Sequence, residues 1–233
     1  MKKLALATMV AMTLSASAYA ESTAVLKLQG VLTNDACTPE LSGGGIVDFG
    51  THYIYQLSAT EDNQLGSKDF TLTINCTAPT KLAWTITDDR PDSKASVSID
   101  NPGWSSNEPL WGNEQRFGAG KTAGGVSIGA YALVMNAAAV TTDAGAAKAV
   151  TSVIGTNPDS AWKEFGKTGD LDSIKSTSPT TGYTVADTDL IPVAFRNATF
   201  PMRVGLAVQD TTTLAITDET DIDGQATITL HYL

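Results

Sequence analysis

The chain has few of the side chains that carry covalent or metal chemistry. It holds two cysteines, Cys37 and Cys76, and two histidines, His52 and His231, in 233 residues. That count argues against a disulfide-dense scaffold, and the histidines have no spacing that would complete a metal site with the cysteines. Basic residues are scarce as well: 15 Lys and Arg stand against 25 Asp and Glu, a formal net charge of −10. So acidic a surface argues against nucleic acid and anionic membranes as partners. Long Glu/Lys/Leu helical repeats are absent. Beyond residue 20 no stretch approaches the roughly 20 apolar residues of a membrane-crossing helix, so a soluble mature chain without direct membrane insertion is expected.

The first 20 residues have the layout of a secretory signal. Lys2 and Lys3 form a charged start, "LALATMVAMTL" is a short apolar stretch, and "AYA" (Ala18–Ala20) ends it with a small-x-small cleavage pattern. Export is therefore expected, with Glu21 as the mature start. In that compartment Cys37 and Cys76 most simply form one disulfide. Closing a loop of that length is worth roughly 4 kcal/mol in the loop-entropy account.

Thr, Val, Gly, Asp and Ala dominate what remains, a composition of strands and turns. "AVLKLQGVL" alternates Ala24, Leu26, Leu28, Gly30 and Leu32 on one side. "GGGIVDFG" reads as a glycine-bounded strand. "KDFTLTINC" alternates Phe70, Leu72, Ile74 and Cys76, and "KLAWTITDD" alternates Leu82, Trp84 and Ile86. "VSIGAYALVMN" reads as a strand that is central or buried on both faces. "LIPVAFRN", "PMRVGLAVQ" and "TLAITD" read as three short strands. "GQATITLHYL" closes the chain with Ala226, Ile228, Leu230 and Tyr232 on one face. The middle, about 91–180, reads as an elaboration. It has a Gly/Asn/Pro/Ser-rich part carrying Trp104, Trp111 and Phe117, and a later "DSAWKEFGK" that predicts a short helix capped by Asp159 or Ser160 and stopped at Gly166.

Several fragments evoke chemistry, and each has a plainer reading. "GVSIG" (Gly125–Gly129) fits a nucleophile elbow, but Ser127 leads into a strand and His231 sits on the outer face of the last one. "GAGKT" (Gly118–Thr122) resembles the end of a phosphate loop whose first glycine would have to be Gln115. "DETDIDG" (Asp218–Gly224) resembles part of a calcium loop, but Leu230 stands where the last acidic ligand belongs. It reads more simply as an acidic turn. Trp104 and Trp111 could stack on sugars or anchor a loop. No catalytic set, metal site or cofactor motif emerges, so an enzyme is not expected.

"GVLTNDAC", "VDFG", "FTLTINC" and "GQATITLHYL", in this order, resemble the chaperone–usher fimbrial (pilus) subunits. "DACTPELSGGGIVDFG" and "TINCTAPTKLAWTITDDR" resemble more closely the fimbrial-like exported proteins of the domain of unknown function 1120 family. The resemblance implies an all-β, immunoglobulin-like pilin sandwich that is incomplete. Residues 21–36 would be a donor-strand extension and 37–233 the sandwich domain. Ala24, Leu26, Leu28, Gly30 and Leu32 would fill the open groove of a neighbouring fimbrial subunit. Ala226, Ile228, Leu230, Tyr232 and Leu233 would form the strand held by a periplasmic chaperone before an outer-membrane usher assembles the fibre at the cell surface. The competing expectation is a self-contained periplasmic or surface binding module, carbohydrate-binding in one form, with the first strand paired inside its own sandwich. One departure from the pilin pattern is Thr220, where the family carries a glycine; the nearest glycine is Gly224.

Overall fold

The computed structural model describes residues 36–100, 102–104, 108–155, 161–166, 173–177 and 180–233. The expected signal segment and donor residues Ala24, Leu26, Leu28, Gly30 and Leu32 lie outside the described residues. In chain order the strands are β1 (Cys37–Leu41), β2 (Asn63–Thr80), β3 (Leu82–Asp88), β4 (Phe117–Gly118), β5 (Gly129–Met135) and β6 (Thr141–Thr142). They continue with β7 (Gly145–Ala146), β8 (Lys148–Val153), β9 (Lys163–Glu164), β10 (Thr181–Ala186), β11 (Phe195–Val208) and β12 (Ala226–Tyr232). A short α-helix, α1 (Thr211–Leu214), precedes β12.

The alternating apolar residues of β2 and β3 explain the architecture. β2 belongs to a sheet ordered β1-β2-β11-β5-β4, with β6 and β7 attached at the side, and β3 to a second sheet ordered β12-β3-β10-β8-β9. The chain changes sheet at Lys81, the one residue between them. All pairings between strands are antiparallel, so the protein is an all-β sandwich. Leu72 and Ile74 of β2 and Phe200 and Met202 of β11 meet Leu82, Trp84 and Ile86 of β3 and Tyr183 and Val185 of β10 in one core. Trp84 is fully buried, 4.9 Å from Tyr183 and 5.6 Å from Phe200 between ring centroids.

Register places one row of side chains straight across the second sheet. Leu230 lies opposite Trp84, Trp84 opposite Tyr183, Tyr183 opposite Thr151, and Thr151 opposite Lys163. The row starts in the core and ends on a charged residue at the β9 edge.

The middle segment covers the outer face of the first sheet. On β5 and β11 several residues turned away from the main core are small, Ala130, Ala132, Val134, Gly205 and Ala207. Ala95, Val97, Ile99 and Leu110 pack onto this face as a second cluster, with Trp104 at its margin. A Cβ at Gly205 would come within 2.9 Å of both Ile99 and Pro102, so glycine is what lets the cover lie this close. Trp104 stacks under the Arg203 guanidinium at 4.2 Å, and Arg203 is paired with Asp69. Trp104 is thus an anchor of the cover, whereas Trp111 is 71% exposed.

Four local expectations are corrected. "LIPVAFRN" and "PMRVGLAVQ" do not form two strands; the end of the first, from Phe195, and nearly all of the second join in β11, which runs through Pro201. The proline is tolerated because its missing N–H falls where the flanking partner changes from β6 to β5, and its carbonyl still accepts from Asn136 N–H at 2.9 Å. "TLAITD" is not a strand: Asp210 caps α1 by accepting from Thr213 N–H at 2.8 Å, and Ala215 closes it in the left-handed region. In "DSAWKEFGK" the described part pairs as β9 with β8 in place of a helix. "GGGIVDFG" starts in a left-handed glycine turn, and its residues 46–50 join no strand ladder among the described residues.

The open edge of β12 as candidate functional site

Cys37 and Cys76 are bonded to each other, facing each other in the β1–β2 ladder. The disulfide fixes the start of β1 to a strand at the heart of the sandwich. β1 then continues into three glycines, Gly43, Gly44 and Gly45, with φ of 64°, 68° and 80°. That left-handed run is open to glycine at little cost and peels the chain away from β2. Ser42 substitutes for the lost ladder contact, its Oγ accepting from Thr71 N–H at 2.9 Å.

After this turn, residues 46–50 keep the side-chain alternation of a strand. Val47 and Phe49 are half-buried against the main core, while Ile46, Asp48 and Gly50 are exposed. β12 packs against the same core. Its Ala226, Ile228 and Leu230 are half-buried against that core, alternating with exposed Thr227 and Thr229. Tyr232 and Leu233 are exposed, and Tyr232 Oη accepts from the Cys37 N–H at 3.1 Å.

β12 pairs with β3 on one side only, and it ends the sheet among the described residues. Ladder parity tells which backbone groups face the other side. Leu233 N–H donates to Lys81 C=O, and Asp89 N–H donates to Gln225 C=O, both at 3.0 Å. Odd-numbered residues from 225 to 233 therefore turn their N–H and C=O toward β3. In an antiparallel pair the alternate residues point the other way. Ala226, Ile228, Leu230 and Tyr232 thus present their backbone N–H and C=O at the outer edge, where no described strand pairs. Three of the four also aim an apolar side chain at the core. This is a surface shaped to accept one more strand.

The entry of β12 is fixed closely. Asp223 N–H donates to Ala119 C=O at 3.0 Å, and the Asp223 carboxylate pairs with Arg90 at 3.1 Å. The acidic turn Asp218–Gly224 therefore commits one carboxylate to a guanidinium. A Cβ at Gly224 would lie 2.7 Å from the Tyr131 ring, so glycine is needed here for packing.

The other sequence candidates are dispersed. Ser127 bridges Lys121 across a hairpin and leads straight into β5, while His231 bonds Thr85 at 3.0 Å in the other sheet. The Gly118 and Gly120 N–H groups are used inside the protein, on Asp88 Oδ2 at 3.1 Å and Ser93 Oγ at 3.0 Å. Sequence reading missed that Val47 and Phe49 pack on the main core without joining a ladder among the described residues. Their signal was the strand alternation in "VDF", set between glycines that no ladder uses.

The fold and this edge define a class: an all-β sandwich whose inward-apolar C-terminal strand pairs on one side only among the described residues. The chain belongs to the family described as protein of unknown function DUF1120, which matches residues 26–132. It is 34% identical to protein GltF of Escherichia coli K12, over 94% of this chain and 92% of that one. It is 27% identical to the uncharacterized protein YhcF of the same organism, over 93% of each.

Proposed function

We propose that this chain is a structural subunit of a chaperone–usher surface fibre, joined to its neighbours by donor-strand exchange. The observation that carries the reading is β12. Its even-numbered residues turn to the edge backbone groups that no described strand pairs, and Ala226, Ile228 and Leu230 turn apolar side chains toward the core, as an incoming strand requires. The occupant is residues 24–32 of the next copy. Ala24, Leu26, Leu28, Gly30 and Leu32 repeat with the period of two that such a groove reads. Before assembly, a periplasmic chaperone would hold the same edge, with Leu233 at its end, and an outer-membrane usher would hand the subunit to the fibre.

Burying one Leu side chain is worth roughly 1.5–3 kcal/mol. Leu26, Leu28 and Leu32 together would supply on the order of 5–9 kcal/mol before ordering costs. Strand hydrogen bonds add to this, so contacts between subunits would be long-lived.

The test compares the mature protein with a variant lacking residues 21–32. The reading expects multimers that persist in mild detergent from the first and none from the second. A peptide spanning Ser22–Thr33 should bind the shortened protein, and the same peptide carrying Gly30→Arg should not. A stable monomer that ignores the peptide, together with collapse of the shortened variant, would instead mark a self-contained binding module.

A further inference from the structure

We propose that β1 carries a built-in block against strand addition, so that β12 is the one sheet edge among the described residues open to an incoming strand. Four strands end the two sheets among those residues: β1 and β4 in the first, β12 and β9 in the second. β4 and β9 are two residues long, and so are β6 and β7 at the side. β9 is also charged, being Lys163 and Glu164. Shortness and charge both blunt an edge. β1 is longer, at five residues, and it borders β2, which runs for 18.

The protection of β1 lies in the donors it lacks. Thr77 N–H donates to Ala36 C=O at 3.0 Å, and the register continues with Thr38 opposite Asn75 and Glu40 opposite Thr73. Residues 36, 38 and 40 therefore turn their backbone groups toward β2, while Cys37, Pro39 and Leu41 turn theirs outward. Pro39 has no N–H. The Cys37 N–H is taken by the Tyr232 hydroxyl at 3.1 Å. At most Leu41 is left to donate, and the chain leaves the sheet soon after it, at the left-handed glycines Gly43–Gly45.

A strand laid on this edge would find three carbonyls and at most one N–H. Its own carbonyls facing Cys37 and Pro39 would stay unpaired, which costs free energy as the edge is covered. β12 is the contrast, since its outward residues Ala226, Ile228, Leu230 and Tyr232 all carry an N–H. Tyr232 serves both edges: its hydroxyl occupies a donor of β1, and its backbone faces outward on β12. The partner that the block repels is an extended segment, a second copy of this chain foremost. In the fibre reading it limits each subunit to one incoming strand. The block does not rest on that reading, because it concerns an edge that the reading leaves unused.

The test is sedimentation velocity on the full mature protein, with hydrogen exchange read at residues 39 and 41. Wild type is compared with Pro39→Val, with Pro39→Val/Tyr232→Phe, and with Thr38→Val. Pro39 is exposed and turns no N–H toward β2, so both variants at this position should keep the fold and the disulfide. Pro39→Val should raise the weight-average size at least about twofold over wild type across a concentration series, and the double variant should raise it further. In the enlarged species the amides at 39 and 41 should exchange at least about tenfold more slowly than in dilute protein. Thr38→Val makes the neighbouring residue apolar but adds no outward donor, and it should sediment like wild type. Sizes unchanged in both Pro39 variants would overturn the block. Enlargement without slowing at 39 and 41 would also overturn it, by assigning association to another surface. Equal enlargement by Thr38→Val would overturn it by assigning the effect to apolarity. Whether wild type is itself a monomer or a multimer bears on the fibre reading alone, so the two can fail separately.

Discussion

The Tyr232 hydroxyl accepts a hydrogen bond from the Cys37 backbone N–H at 3.1 Å, across 195 residues of sequence. It links the last strand of one sheet to the first strand of the other and closes one end of the open side. The disulfide anchors Cys37 from beneath, so the bond ties β12 to a fixed point. Tyr232→Phe keeps the ring and removes only the hydroxyl. It should lower stability by about 0.5–1 kcal/mol, since the bond is exposed and net hydrogen-bond contributions are small. Urea unfolding checks this. An unchanged midpoint would mean that packing of the ring alone holds the corner.

The cover over the first sheet should be part of the cooperative core. Ile99 is 1% exposed and contacts the small-residue face of β5 and β11. Ile99→Ala should cost about 2–5 kcal/mol, as for other deeply buried aliphatic truncations. The same unfolding experiment reads it. A loss below about 0.5 kcal/mol, the size of a surface substitution, would show that the segment is a detachable loop.

Alkaline pH should expose a third feature. Burial holds the Tyr131 phenol well above the usual tyrosine range, and the nearby Asp88 and Asp89 carboxylates add to the effect, against Arg90. In the unfolded chain the phenol ionises near pH 10. The folded state therefore keeps a proton that the unfolded state loses. Stability from this group is complete below about pH 10 and declines above it, by up to about 1.4 kcal/mol per pH unit. Tyr131→Phe should flatten the alkaline limb of the stability–pH curve. An identical limb in both proteins would assign the decline to other groups.

The sequence made the strands legible wherever apolar residues alternate, because that period is fixed by the strand backbone itself. Phe70, Leu72, Ile74 and Cys76 share a face as expected, and the two cysteines pair. It failed where partners decide the outcome. "VDF" alternates like a strand, yet the glycine turn at Gly43–Gly45 takes it off the ladder. "TLAITD" has strand composition, yet Asp210 offers a helix cap. "DSAWKEFGK" carries helix signals, yet β8 offers Lys163 and Glu164 a ladder. Pro201 suggested a break that β11 avoids because its neighbours change there.

Amide hydrogen exchange along β12 tests the central claim most directly. In the protein lacking residues 21–32, the Thr227, Thr229 and His231 N–H groups face β3 and should exchange slowly. Those of Ala226, Ile228, Leu230 and Tyr232 face the open edge and should exchange quickly. Adding the Ser22–Thr33 peptide should slow Ile228 and Leu230 by at least about tenfold, with little change at Thr227 and Thr229. If Ile228 and Leu230 exchange equally fast with and without the peptide, β12 accepts no donor strand and the proposed assembly is wrong.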